Sequence, residues 1–367
     1  MNILIAPDSF KGTLGAERVC RIARYAAKRA FHDCYVKELP IADGGEGTAR
    51  IMTKALAGTV ETIAVEGPFG KTVKARIGFV DKGNTAIIES AEAIGLPLAG
   101  KRANPERTSS FGVGQMIAYS VSRGASKIIL TLGGSSTNDL GAGMLSAMGV
   151  QFVDINGNRF TPIGGNLSRV ETIEFNQEFS KYRDKEFILM CDVDNPLLGD
   201  DGCAKVYAPQ KGASPEAVVR LESGAVRLSE IVTLITGRDE RFTPGAGAAG
   251  GIAFGAMSFL KAKVKRGIDV ILQMYDFERQ VEWADMVITG EGKLDEQSFM
   301  GKAVGGILAV ALPKPCVVLC GINAYKPLPE GANVVCISDG VGGAEYAMKN
   351  AAECLRKALD KYFASIK

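Results

Sequence analysis

Ile3-Leu4-Ile5-Ala6-Pro7-Asp8-Ser9-Phe10-Lys11-Gly12 opens the chain with an apolar run that gives way at once to polar and turn residues. An unbroken run of this kind reads as a strand covered on both faces, as in a parallel sheet held between helices. Downstream, Val19, Ile22, Ala23, Ala26 and Ala30 recur at the spacing of one buried helix face, and Cys34 to Leu39 supplies a second strand. The three pieces make a β-α-β unit. In open α/β sheets ligands collect beyond the carboxyl ends of the strands, so Asp8, Ser9 and Lys11 stand where a site is expected. Lys11 can meet a phosphate or a carboxylate as a point charge. The competing reading makes Asp8 and Ser9 a helix-capping turn and Lys11 a solvated cation.

The next turn, Asp43-Gly44-Gly45-Glu46-Gly47-Thr48, leads into a helical pattern with Ile51, Met52, Ala55 and Leu56 on one face. Thr48 is expected to cap this helix by accepting a bond from a free first-turn N–H, and the glycines let the backbone approach a ligand closely. A Gly-rich loop at a helix start reads as an anion cradle. Asp43 and Glu46, however, would repel a polyanion unless a cation or a hydroxyl stood between them. The loop therefore suits Mg²⁺-assisted chemistry or a polyhydroxy substrate, set against a capped turn with solvated acids.

From about Val60 the texture changes. Val73, Ala75, Ile77 and Phe79 alternate with polar residues, and Lys82-Gly83-Asn84 separates them from Thr85-Ala86-Ile87-Ile88, which predicts an antiparallel hairpin and the start of a second domain. Glu89-Ser90-Ala91-Glu92 then opens a short helical piece ended by Gly95. After a helix from Ser109 to Ser122, the run Lys127 to Leu132 ends in Gly133-Gly134-Ser135-Ser136-Thr137-Asn138-Asp139, glycines and small hydroxyl residues that can wrap phosphates with backbone N–H groups or form a plain β-α loop. Phe187 to Cys191 is a further buried run, with Asp192 and Asp194 at its exit. Lys211, in the loop Ala208 to Ala213, is either an anion ligand or a surface lysine.

The last quarter returns to the opening rhythm: Met286-Val287-Ile288, a helix from about Gly301 to Leu312, Val317-Val318-Leu319, Val334 to Ile337, then a terminal helix. The first of these strands leaves through a Gly-rich turn carrying Glu291 and Asp295. The simplest topology is α/β: residues 1–62 plus 280–367 form a doubly wound, mostly parallel, Rossmann-like domain, and 63–279 form an inserted α/β domain, with a cleft between the two.

Composition narrows the chemistry. Of 367 residues 46% are apolar, the formal charge is only +2, and no block of one sign occurs, so neither nucleic acid nor a membrane surface is an expected partner. No basic-then-apolar leader and no bilayer-length apolar run is present, which places the protein in the cytoplasm as an expectation. The eight cysteines lack metal-ligand spacing and read as buried free thiols, and His32, the only histidine, reads as structural or superficial. Gly245-Ala246-Gly247-Ala248-Ala249-Gly250 matches a dinucleotide fingerprint, but the charged, turn-like segment before it is not the strand that motif needs; close packing explains these glycines better. No complete Walker A motif exists.

Taken together, Ala6 to Gly12, Ala42 to Thr48, Gly133 to Asp139, Cys191-Asp192-Val193 with Asn195-Pro196-Leu197, Pro209 to Ala213, Pro244 to Gly251, and Ile288 to Gly292 with Asp295 make a chain that resembles the bacterial class I glycerate kinase family from end to end. Leu140 and Ser136 depart from that pattern, where Gly and Ala are common. The resemblance implies an ATP-dependent, Mg²⁺-using kinase that phosphorylates D-glycerate, most simply at the 2-hydroxyl. Phosphoryl transfer needs charge neutralisation and alignment more than a strong nucleophile. On that basis Asp192 is the expected base, with Asp8 second choice, and Lys11 a charge stabiliser. Ser9, Asp43, Gly45 and Glu46 are expected around substrate; Gly133, Gly134, Ser135, Thr137 and Lys211 around nucleotide phosphates; Glu291 and Asp295 near Mg²⁺. A sugar-acid or nucleotide sensor and, less readily, an NAD-linked dehydrogenase are the alternatives. A homo-oligomer is compatible with the chain.

Overall fold

Two units make up the chain: Met1–Asp43 with Lys54–Leu56 and Arg266–Lys367, and Gly44–Thr53 with Ala57–Lys265. The computed structural model describes all residues except 43, 46, 300, 301, 326–330, 341 and 367.

In the first unit five parallel strands run in the order Ala332–Cys336, Cys316–Asn323, Met286–Leu294, Asn2–Ile5, Tyr35–Glu38. Numbered along the unit this is a 2-1-3-4-5 doubly wound sheet, whose order reverses between Asn2–Ile5 and Met286–Leu294. Ile3 and Ile5 join Met286, Ile288, Val317 and Leu319 in one core with helices Ala16–Ala30 and Ala351–Ser365. Leu4, Val287 and Val318 are equally buried. Helices Gly267–Met274, Phe277–Trp283 and Ala303–Ala311 pack with one another and against these strands. Cover on both faces is why the apolar runs are continuous rather than alternating, and each fully buried Ile or Leu contributes about 1.5–3 kcal/mol.

The second unit holds a mixed six-stranded sheet in the order Lys263–Lys265, Glu186–Met190, Lys127–Thr131, Thr85–Glu89, Thr72–Val80, Thr59–Glu66. The first four are mutually parallel, while the last three form antiparallel pairs. The expected hairpin is therefore present, and Ser90–Ile94 follows as a short helix closed by Gly95. An antiparallel sheet of Val150–Val153, Arg159–Phe160 and Thr172–Phe175, absent from the sequence reading, lies apart from the main one.

Unit boundaries fall at 43/44 and 265/266 rather than at 62 and 280. Strand Thr59–Glu66 pairs into the second sheet, and helices Gly267–Met274 and Phe277–Trp283 belong to the first unit. The Gly245 to Gly250 segment follows coil and opens helix Ala248–Leu260, with no strand before it. A Cβ on Gly250 would come within 2.0 Å of Thr137 O, so close packing accounts for that glycine. All eight cysteines are buried and unpaired. Among the described residues no helix is long and apolar enough to cross a membrane.

Candidate active site

At the switch point of the first unit, the chain leaving Asn2–Ile5 stays beside Met286–Leu294. Ala6 N–H donates to Ile288 O (2.7 Å) and Asp8 N–H to Gly290 O (2.8 Å). Asp8 is buried, and its Oδ1 accepts from Ser9 N–H at 2.6 Å. Glu291 lies within strand Met286–Leu294, paired in register with Cys320, and not in the Gly-rich turn expected from the sequence, because the strand continues to Leu294. A Cβ on Gly292 would lie 3.2 Å from Lys11 N, so this strand touches the turn carrying exposed Lys11. Asp8, Ser9, Lys11 and Glu291 are thus brought together.

Glu291 Oε1 is buried with no hydrogen-bond partner among the described residues. Burial pushes its carboxyl pKa up; the Ser298 hydroxyl and the charges of Lys302 and Lys11 oppose the rise, and Asp295 adds to it. Asp295 is differently engaged. It pairs with Lys293 at 3.3 Å, which holds its carboxyl below the usual range, and its Oδ1 accepts from Gln297 N–H at the start of the short helix Glu296–Phe299. Among the described residues no three acidic, Cys or His side chains converge as a metal cage. Mg²⁺ does not need one, since it commonly takes one or two carboxylates with water and phosphate oxygens. The orphaned oxygen of Glu291 fits that donor set.

In the second unit Glu89, Gly133 and Asp192 stand at or just past the carboxyl ends of three parallel strands, Thr85–Glu89, Lys127–Thr131 and Glu186–Met190. Asp43 and Glu46 lie outside the described residues, but the glycines around them are defined, with Gly44 and Gly47 at φ +77° and +89°. Among the described residues Thr48 Oγ1 accepts no N–H to cap helix Thr48–Ala55. Its hydroxyl donates to Gly45 O at 2.7 Å, and Glu89 does the capping: Oε2 accepts from Gly47 N–H (3.0 Å) and Oε1 from Ala49 N–H (2.6 Å). The cradle read as an anion site thus holds the protein's own carboxylate. Glu89 was missed as a functional residue, although it ends an apolar run at a strand exit just as Asp192 does.

Gly133 follows the neighbouring strand and approaches this loop; a Cβ there would sit 3.4 Å from Gly44 O and 3.5 Å from Gly45 Cα. Gly133 and Gly134 are exposed, whereas Ser135 through Asp139 are buried. Asp139 anchors this loop. Its Oδ2 accepts from Ser110 N–H (2.7 Å) and Ser110 Oγ–H (2.8 Å), and its Oδ1 from Gly141 N–H (3.2 Å). Among the described residues, Thr137 Oγ1 is buried without a hydrogen-bond partner, and the buried Asn138 side chain stands beside the Cys203 thiol.

Lys211, read as either an anion ligand or a surface lysine, is not on the surface: it is 3% exposed, and Nζ donates to Thr137 O (2.7 Å) and Ser135 Oγ (3.1 Å). Burial lowers its pKa to about 8. Asp192 is exposed just beyond strand Glu186–Met190. A Cβ on Gly245 would lie 3.3 Å from Val193 O, so the 245–250 turn adjoins both the Asp192 exit and, through Gly250, the 133–139 loop.

A sequence model of the glycerate kinase family matches residues 3–367. The chain is similar to the glycerate kinase of Bacillus subtilis, with 37% identity over 374 positions covering 100% of this chain and 98% of the relative. It is also similar to the glycerate 2-kinase of Escherichia coli, 38% identical over 324 positions, covering 88% and 85%. A crystal structure of a protein provisionally named glycerate kinase 2, from Salmonella typhimurium, superposes with a TM-score of 0.90 at 34% identity, covering 100% of this chain and 98% of that one. Likeness of this extent makes the chain an ATP-dependent kinase acting on a hydroxyl group. It belongs to the glycerate kinase family.

Proposed function

We propose that the protein transfers the γ-phosphoryl group of ATP to the 2-hydroxyl of D-glycerate, giving 2-phosphoglycerate. The observation that carries this reading is the end-to-end likeness to proteins named for glycerate phosphorylation, one of them for the 2-position. Eight buried, unpaired thiols suit a cytoplasmic enzyme.

Asp192 accepts the proton of the attacking hydroxyl, with Asp8 the second choice; a well-placed base is worth roughly a hundredfold or more in rate. Asp192 is exposed and so accessible to a diffusing substrate, whereas Asp8 is buried. Lys11 offsets charge on the transferring phosphoryl group. Ser9, Asp43, Gly45 and Glu46 contact glycerate. Gly133, Gly134, Ser135 and Thr137 face the nucleotide phosphates, and buried Lys211 braces their loop from beneath. Glu291, through its orphaned oxygen, would hold Mg²⁺ with Asp295 beside it, and the bound cation would neutralise phosphate charge.

ADP release from ATP and Mg²⁺, measured with and without D-glycerate, tests the proposal. Release that requires D-glycerate supports it. Stabilisation by glycerate with no ADP formed would instead favour a sensor.

A further inference from the structure

Glu89 does more than end a strand. Its side chain is buried at 3% exposure, and its two oxygens are each spent on a separate backbone N–H of the glycine loop, Gly47 at 3.0 Å and Ala49 at 2.6 Å. Strand Thr85–Glu89 is pinned in register between its neighbours Thr72–Val80 and Lys127–Thr131, so the carboxylate has a rigid base. Around it, Thr48 Oγ1–H and Thr48 N–H donate to Gly45 O, Ile51 N–H donates to Gly47 O, and Gly133 approaches Gly44 and Gly45.

We infer that Glu89 is a positioning residue for glycerate, fixing Gly47 and the first turn of helix Thr48–Ala55 and, through Thr48, the Gly45 carbonyl beside the substrate. This rests on the reading that the loop serves glycerate. A carboxylate is the only side-chain group of this size that can accept from both amides at once; a carboxamide must turn its NH₂ toward one of them. Hydrogen bonds to a charged acceptor are about twice as strong as neutral ones, and small displacements of substrate-holding groups are costly in rate and binding.

The experiment combines kinetics with amide exchange on Glu89→Gln. The expected result is a KM for D-glycerate raised on the order of tenfold, an ATP KM changed less than about twofold, and exchange at Gly47 and Ala49 faster by about tenfold or more while strand Lys127–Thr131 stays protected. A purely structural role would raise both KM values together and loosen that strand as well. Unchanged exchange at Gly47 and Ala49, or an equal rise in both constants, overturns the proposal. Should E89Q fail to fold, Glu89→Asp keeps two acceptors on a shorter arm and is expected to show the same split at smaller size. Lack of D-glycerate turnover in the unaltered protein would sink the functional reading instead, and amide exchange would then decide the grip on the loop by itself.

Discussion

Replacing Lys211 by Met separates what this ammonium does for stability from what it does for the loop above it. Burial lowers the Lys211 pKa from its ordinary 10.5 to about 8, a penalty on the charged form of about 3 kcal/mol. Against this, Met would strand Thr137 O, at a cost of about 1–3 kcal/mol for an unsatisfied buried acceptor. The two nearly cancel at pH 7, so the diagnostic is the pH dependence. Between the folded and unfolded values the unfolded chain binds more protons, so the stability contribution of this group rises with pH. Wild type should gain about 1 kcal/mol on Lys211→Met between pH 7 and pH 9. The neighbouring Cys203 thiol, pushed up by burial to about 12, stays protonated throughout and does not obscure the effect. Urea unfolding of both proteins at the two pH values measures the difference. An unchanged gap would refute a desolvated, titrating Lys211.

Glu291→Gln keeps the side chain's shape and removes the charge. The Mg²⁺ concentration needed for half-maximal turnover should rise about tenfold or more. Because burial raises the folded pKa of Glu291, wild type should also recover stability relative to this variant as pH falls through that raised value; denaturation at two pH values reads the second effect. Asp192→Asn, at an exposed position, should fold normally by circular dichroism and lose roughly a hundredfold or more in kcat. Near wild-type turnover would remove it as the base. Thr137→Val deletes a buried hydroxyl that has no partner among the described residues, and calorimetry should show the protein stabilised by about 1 kcal/mol while the ATP KM rises.

Strands that must be apolar on both faces announced themselves: Ile3 to Ala6, Phe187 to Cys191 and Met286 to Ile288 are uninterrupted runs because helices cover both sides of their sheets. The small sheet at Val150 to Phe175 did not, since its strands are short and partly exposed and offer little periodicity. Position relative to the strands was legible in part. Asp8 and Asp192 lie just past a strand's carboxyl end, whereas Glu291 sits inside strand Met286–Leu294, whose glycines disguised its length. The site was hidden where a partner distant in sequence decides the role. Nothing in the Gly44–Thr48 stretch says that Glu89, 40 residues from Ala49, will cap its helix, and nothing near Lys211 says that its ammonium is enclosed by a loop 74 residues away. Domain edges suffered in the same way, because Thr59–Glu66 follows a first-unit segment in the chain but pairs in the second sheet.

Proton-coupled phosphorus NMR of the product formed from ATP, Mg²⁺ and D-glycerate tests the central claim most directly. Transfer to the 2-hydroxyl predicts a phosphomonoester signal that a single carbon-bound proton splits into a doublet. A triplet from a neighbouring methylene would move the acceptor to the 3-hydroxyl, and the absence of any D-glycerate-dependent phosphomonoester would contradict the account altogether.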